Sequence, residues 1–202
     1  MQTSFMKRAV LGAAAVLLAG AAQAALQDRD LNGDTVTDAF YDTDLNITWL
    51  RDANVNGSMN WATAVSWADN FSFGGYSDWR LPTSDGCDQL NCTGSEMGHL
   101  YYIELGNVAL SFDPNKGDFQ NLRTDFAYWS GTEYSAQPTE AYYFGYLIGI
   151  QNLAGKTALW YAMAVRDGDV SVLGVPEPET YALMLLGLAG VAFATKRRAR
   201  RA

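Results

Sequence analysis

Histidine occurs once in this 202-residue chain, cysteine twice, and Lys and Arg are few outside its two ends. One histidine, His99, with no Ser or Cys pattern around it leaves a hydrolase triad without support. Lying between Gly98 and Leu100 in a helical stretch, it reads as a core or helix-face residue. The cysteines, Cys87 and Cys92, have no His or further Cys nearby to complete a metal site. They sit in a Ser/Asp/Gly/Asn-rich stretch, where an even pair in an exported protein reads as a local disulfide. A redox or metal role is the other reading. No repeat or low-complexity tract occurs.

Export is written at the N-terminus. Lys7 and Arg8 are followed by an apolar region and by Ala22-Gln23-Ala24, an A-x-A site for signal peptidase. Residues 1–24 are therefore expected to be a signal peptide. At the other end, Pro176-Glu177-Pro178 precedes an uncharged run over residues 181–195, closed by Lys196, Arg197, Arg198, Arg200 and Arg201. That run is shorter than the ~20 residues a comfortable spanning helix needs. A short apolar run with a basic stop suits a transient inner-membrane anchor whose basic end stays cytoplasmic. The three-part order over residues 174–202 resembles the PEP-CTERM sorting signal. The resemblance implies recognition by an exosortase, a membrane-embedded protease-transferase, with cleavage near Pro176-Glu177-Pro178. The other reading is an ordinary uncleaved C-terminal hydrophobic helix.

Removing both ends takes seven of the 14 basic residues and one of the 22 acidic ones, so seven face 21 and the net charge is −14. A body so acidic is a poor partner for nucleic acid, heparin-like chains or an anionic membrane surface, and leaves neutral glycans, cations and basic proteins open. Its start, residues 25–39, is itself acidic. Asp28, Asp30, Asn32 and Asp34 alternate, Gly33 marks a sharp turn, and Asp38 follows. Calcium takes six to eight oxygens, and this spacing resembles the start of an EF-hand or dockerin loop. The twelfth position is Ala39 instead of Glu, so Asp38 or Asp42 would have to supply the last ligand. A solvated acidic segment is the alternative.

The remaining chain alternates short segments. Residues 40–42 and 47–50 read as strands around a Thr-Asp-Leu-Asn turn. Residues 59–71 switch to a period near 3.6, with Trp61, Ala64, Val65 and Ala68 on one face and Asn60 placed to cap. A second helix is expected over 96–105, capped by Ser95. Residues 126–130, 141–147 and 158–166 read as strands, the middle one with Tyr142, Phe144 and Tyr146 on one face. Two helices followed by several antiparallel strands make an α+β domain.

Four signposts carry a second resemblance. They are Tyr41-Asp42-Thr43-Asp44 with Thr48-Trp49-Leu50; Met59-Asn60-Trp61-Ala62; the stretch from Gly74 through Trp79-Arg80-Leu81-Pro82-Thr83; and Tyr128-Trp129-Ser130-Gly131-Thr132-Glu133-Tyr134 with Ala164-Val165-Arg166. Together they resemble the Lcl C-terminal domain family over residues 40–173. The resemblance implies a C-type-lectin-like or sulfatase-modifying-factor-like fold. Glycosaminoglycan binding, known in the family's namesake, does not suit a −14 body. In Trp79-Arg80-Leu81-Pro82-Thr83, Trp79 and Leu81 are expected to bury while Arg80 turns to Asp78, Glu96 or Glu133, a structural lock and not a site. Most Trp fall in periodic segments and read as core, which leaves the loop residues Tyr76 and Tyr134 as glycan-contact candidates. Formylglycine-generating enzymes share a similar Trp-Arg-Leu-Pro-Thr element, but their two cysteines lie near the domain's end. The expectation is an exported, non-catalytic surface or matrix protein associated with exopolysaccharide and biofilm, with calcium as the one cofactor considered. A protein–protein adhesion module and a matrix-glycan-modifying enzyme are the alternatives.

Overall fold

The computed structural model describes residues 26–170. The expected signal peptide with Ala22 and Ala24, the Pro176-Glu177-Pro178 motif and the apolar tail all lie outside these residues. Among the described residues no helix is long and apolar enough to cross a membrane. The architecture is α+β and mostly β, with two antiparallel sheets and little helix.

The first sheet comprises β1 (Gln27–Arg29), β2 (Ala39–Asp42), β3 (Ile47–Leu50) and β7 (Val165–Asp167), in that spatial order. Its β2–β3 hairpin closes through Asp42, whose Oδ1 accepts the amides of Asp44 and Leu45, each at 3.0 Å. Asn46 then takes φ 53°, a left-handed position that Asn tolerates. Strand β7 returns from the far end of the domain to pair Thr48 with Arg166, so the sheet closes only when the whole domain is present. The second sheet is a meander of β4 (Ala127–Glu133), β5 (Glu140–Gly145) and β6 (Ile150–Gly155). Along β5 and just past it, Tyr142, Phe144 and Tyr146 are buried, while Tyr143 and Gly145 are half-buried and Leu147 is exposed, as the alternation predicts.

Helix α1 (Trp61–Asn70) starts where Asn60 Oδ1 accepts the Thr63 amide at 2.9 Å, and it buries Ala64 and Ala68 beside Leu81 and Trp129. Helix α2 (Glu96–His99) starts where Ser95 Oγ accepts the Gly98 amide at 3.1 Å. It does not run on as an α-helix to residue 105. Instead it passes into a π-helical turn, Leu100–Glu104, closed by the Leu105 amide on the Leu100 carbonyl at 2.9 Å. Two other expectations change. Residues 158–166 do not form one strand; Trp160 and Tyr161 make isolated bridges to Met59 and Tyr128, and β7 begins at Val165. Strand β6 had no sequence signature: its Asn and Gly are poor strand formers, and it exists because β5 offers a free edge.

The main core joins Phe40, Ile47 and Trp49 of the first sheet to Tyr128, Phe144 and Tyr146 of the second, with Leu100 and Tyr101 of the π turn between them. A core so rich in aromatics packs largely edge to face, as Tyr101 does on Tyr146 at 5.8 Å and 69°.

Candidate functional site

The Trp79-Arg80-Leu81-Pro82-Thr83 element works as a clasp between the sheets. Trp79, Leu81 and Pro82 are buried. Arg80 exchanges backbone hydrogen bonds with Val165 of β7, at 2.7 and 2.9 Å. Two residues on, the Pro82 carbonyl accepts the Gly131 amide and the Ser130 hydroxyl of β4. The Arg80 side chain meets Glu96 through both terminal nitrogens, at 2.7 and 2.8 Å, and Asp167 at 2.5 Å. Of the three partners expected, Glu96 is the one engaged. Asp78 pairs instead with Arg166 and Glu133 with Lys156, while Asp167 could be seen as a partner only once β7 was in place. The Glu96 bonds hold the Arg80 guanidinium further into its charged form. Thr83, the last residue of the element, donates its amide to Glu96 Oε2 at 2.6 Å.

Cys87 and Cys92 are joined in a disulfide. The bridge closes the loop that leads into α2.

In the acidic N-terminal segment, Asp28 stands on β1 opposite Phe40, and the others lie in the following loop. There Asp30 accepts the amides of Asn32 and Gly33 on Oδ1 and of Thr35 on Oδ2. Asn32 accepts the Asp34 amide, Asp34 the Val36 amide and Asp38 the Leu31 amide. The slight desolvation of Asp30 acts upward, but these amides outweigh it and hold its carboxyl below the ordinary 3.8. The donor oxygens thus organise the loop's own backbone.

The aromatic candidates are half-buried. Tyr76 carries the Arg166 guanidinium over its ring at 4.2 Å and packs with Trp79 and Leu31, so one ring face is covered. Tyr134 stands edge-on to Tyr142 at 5.9 Å. A better-formed concavity, of about 330 Å³, lies beside β3 and the loop after α1. Phe71 and Phe73 line it with parallel rings 6.3 Å apart, and Asp38, Arg51, Asp52 and Gln120 supply polar groups. Phe71 closes the stretch of 3.6-residue period as the C-cap of α1, and no periodic signal in the sequence marks Phe73, which follows the helix.

A second grouping was not foreseen. His99, Glu104 and Asp42 place one donor atom each within 4.8 Å of one another. His99 Nε2 lies 3.3 Å from Glu104 Oε1, 3.9 Å from Asp42 Oδ2 and 3.9 Å from Asp44 Oδ2. The Asp42 side chain is 0% exposed and that of Glu104 1%, and Asp42 Oδ2 and Glu104 Oε2 have no hydrogen-bond partner. Burial first, then the Asp42 charge, pushes the Glu104 carboxyl above its ordinary 4.5. The π turn creates the cluster. At 3.6 residues per turn an α-helix would leave residues five apart about 140° from each other. A ladder closed from i to i+5 turns less per residue and brings them closer to one face.

Comparison with known proteins fits this chain to two family models. The Lcl C-terminal domain matches residues 38–166, and the PEP-CTERM protein-sorting motif matches residues 174–201. No curated protein matches the chain. The sorting motif implies exosortase-dependent processing during export to the cell surface. With its paired sheets, its Trp-Arg-Leu-Pro-Thr clasp and a domain match spanning most of its length, the chain belongs to the Lcl C-terminal domain family and ends in a PEP-CTERM sorting signal.

Proposed function

We propose that this protein is a non-catalytic surface or matrix component that binds a neutral glycan of the producer's exopolysaccharide through the Phe71–Phe73 cleft. The cleft is the observation that carries the reading. Two parallel aromatic rings offer stacking faces, and Asp38, Asp52 and Gln120 beside them match sugar hydroxyls as acceptors and donors. The acid-rich body favours neutral over sulfated chains. The disulfide, which takes up both cysteines, supports a non-catalytic role. Two short antiparallel sheets with α1 packed near β4 suit the C-type-lectin-like fold that belongs to this proposal. Residence in a biofilm matrix, after transient anchoring by the tail, is part of the same reading.

The test is retention of the full chain on the producer's exopolysaccharide, with calcium and then with a chelator. Retention that falls at least fivefold in Phe73→Ala and Gln120→Ala supports the cleft. Dependence on chelation would bring calcium and the Asp30 loop into the binding. No retention of the wild type would sink the glycan reading.

A second reading has its own observation. Ile103, Val108, Leu110, Phe112 and Leu147 are exposed, and the Leu110 and Phe112 amides bond the Ile148 and Leu147 carbonyls, so these apolar residues share one region. A protein-adhesion module would use such a surface. Phe112→Ser would then abolish capture of a surface protein while leaving glycan retention intact.

A further inference from the structure

We propose that His99, Glu104 and Asp42, with Asp44 at the mouth, form a binding site for a divalent transition-metal cation of the zinc type. Both observations behind it are geometric. The donor atoms of three residues already lie within 4.8 Å of one another, and two of the carboxylates are buried with an oxygen that bonds nothing. Buried carboxylate oxygens are ordinarily hydrogen-bonded or matched by a cation. The ion pairs available to Asp42 and Glu104 in the described residues run to His99 alone.

The spacing suits a small cation. Zinc bonds its N and O ligands at about 2.0–2.1 Å, which puts tetrahedral ligands about 3.3–3.4 Å apart. The His99–Glu104 separation is 3.3 Å, and the two 3.9 Å separations to Asp42 and Asp44 close with about half an ångström of side-chain adjustment. Asp42 is aimed into the site by the Asp44 and Leu45 amides, which occupy its other oxygen. Entry is from the Asp44 side, where that carboxylate is 46% exposed and the imidazole 13%.

The donor chemistry selects the metal class. One imidazole among carboxylates suits zinc and its first-row neighbours, whereas calcium and magnesium sites are built of oxygen. The site is distinct from the Asp30 loop, whose oxygens serve its own amides. Once bound, the cation would tie the π turn to the end of β2, a structural staple.

His99 is the sole histidine of the chain, so its imidazole resonances are unambiguous in a preparation without a histidine tag. The full chain is stripped with a chelator and titrated at pH 7.5 with zinc sulfate while those resonances are followed. The expected result is a shift that saturates at one equivalent of zinc, with an equal concentration of calcium failing to reproduce it. Isothermal titration should show at least tenfold weaker zinc binding in Glu104→Gln, which keeps the side-chain volume. Asp44→Asn, at an exposed position that leaves the core untouched, should weaken binding several-fold. Imidazole signals indifferent to stoichiometric zinc would overturn the proposal. So would zinc affinity unchanged in both variants, or lost only in Asp30→Asn.

Discussion

Glu96 opens the α2 segment and Glu104 ends the π turn that continues it, yet the two carboxylates meet opposite surroundings. Glu96 accepts from both terminal nitrogens of Arg80 and from the Thr83 amide. Glu104 faces His99, with Asp42 and Asp44 behind it. The difference follows from the supply of cations. Of the seven Lys and Arg in residues 26–170, five are in ion pairs with carboxylates. A sixth, Arg51, donates to the carbonyls of Asp118 and Thr37. A chain this acidic places its few guanidinium groups where they hold elements together. The second carboxylate cluster is left to a proton or a metal.

The largest effect should come from breaking the paired end. Arg80→Met leaves Glu96 half-enclosed without its partner and unties Asp167 from the clasp. Removing one member of such a pair costs about 3–5 kcal/mol. The lower figure is expected because Asp167 is 79% exposed, and urea denaturation would measure it. A loss below about 1 kcal/mol would mean that the backbone bonds of Arg80 with Val165, and not its charge, make the clasp.

Next comes the bridge that delivers the chain to α2. Replacing Cys87 and Cys92 together with Ser should cost about 2 kcal/mol, the loop-closure entropy of so short a loop. The same denaturation curves, run with and without reductant on the wild type, should give the same difference. An effect confined to strand pairing would appear as unaltered protection of the Gly98 amide in hydrogen exchange.

Ser95→Ala removes the cap on the Gly98 amide and should cost about 1 kcal/mol. Its sharper use is as a probe of the other end. If α2 and the π turn form one unit, the His99 environment changes with the cap, and its imidazole resonance moves. An unmoved resonance would show that the two ends are independent.

The smallest effect concerns pH. The Arg166 bonds to Asp78, and the Arg29 bonds to Asp169, hold these carboxyls below the ordinary 3.8. A depressed carboxyl adds stability that is fully present above its unfolded value and is lost as pH falls through its folded value. Stability should therefore decline as pH falls through and below the ordinary carboxylate range. Arg166→Met should show a shallower decline in midpoint over that range. An equal slope in wild type and variant would remove Asp78 from the explanation.

Local physics made several elements legible. Asn60 followed by Trp61, Ala64, Val65 and Ala68 announced α1, since a cap and a 3.6-residue apolar spacing act within one helix. The Tyr142, Phe144 and Tyr146 alternation announced the buried face of β5, and a polar loop with two cysteines announced the bridge. Contacts across the chain were not legible. Strand β6 depends on the edge of β5 and on burial of Gln151, whose Nε2 donates to the Cys87 carbonyl at 2.5 Å. The Phe71–Phe73 cleft depends on where β3 and Gln120 come to lie.

By itself, the sequence determined that the chain is exported and sorted, that its body is strongly acidic, and that a clasp built on Trp79, Arg80 and Leu81 belongs to a known domain family. Those properties depend on composition and on short ordered motifs, which read the same in any conformation. Only the tertiary structure decided which acid answers Arg80, where two phenylalanines form a cleft, and that Asp42, His99 and Glu104 meet. The reason is physical: the meeting requires a hairpin turn to aim Asp42 and a π turn in place of an α turn to bring His99 and Glu104 to one face. Asp42 helps to build its own turn, but the π turn is not set by the identity of the three residues.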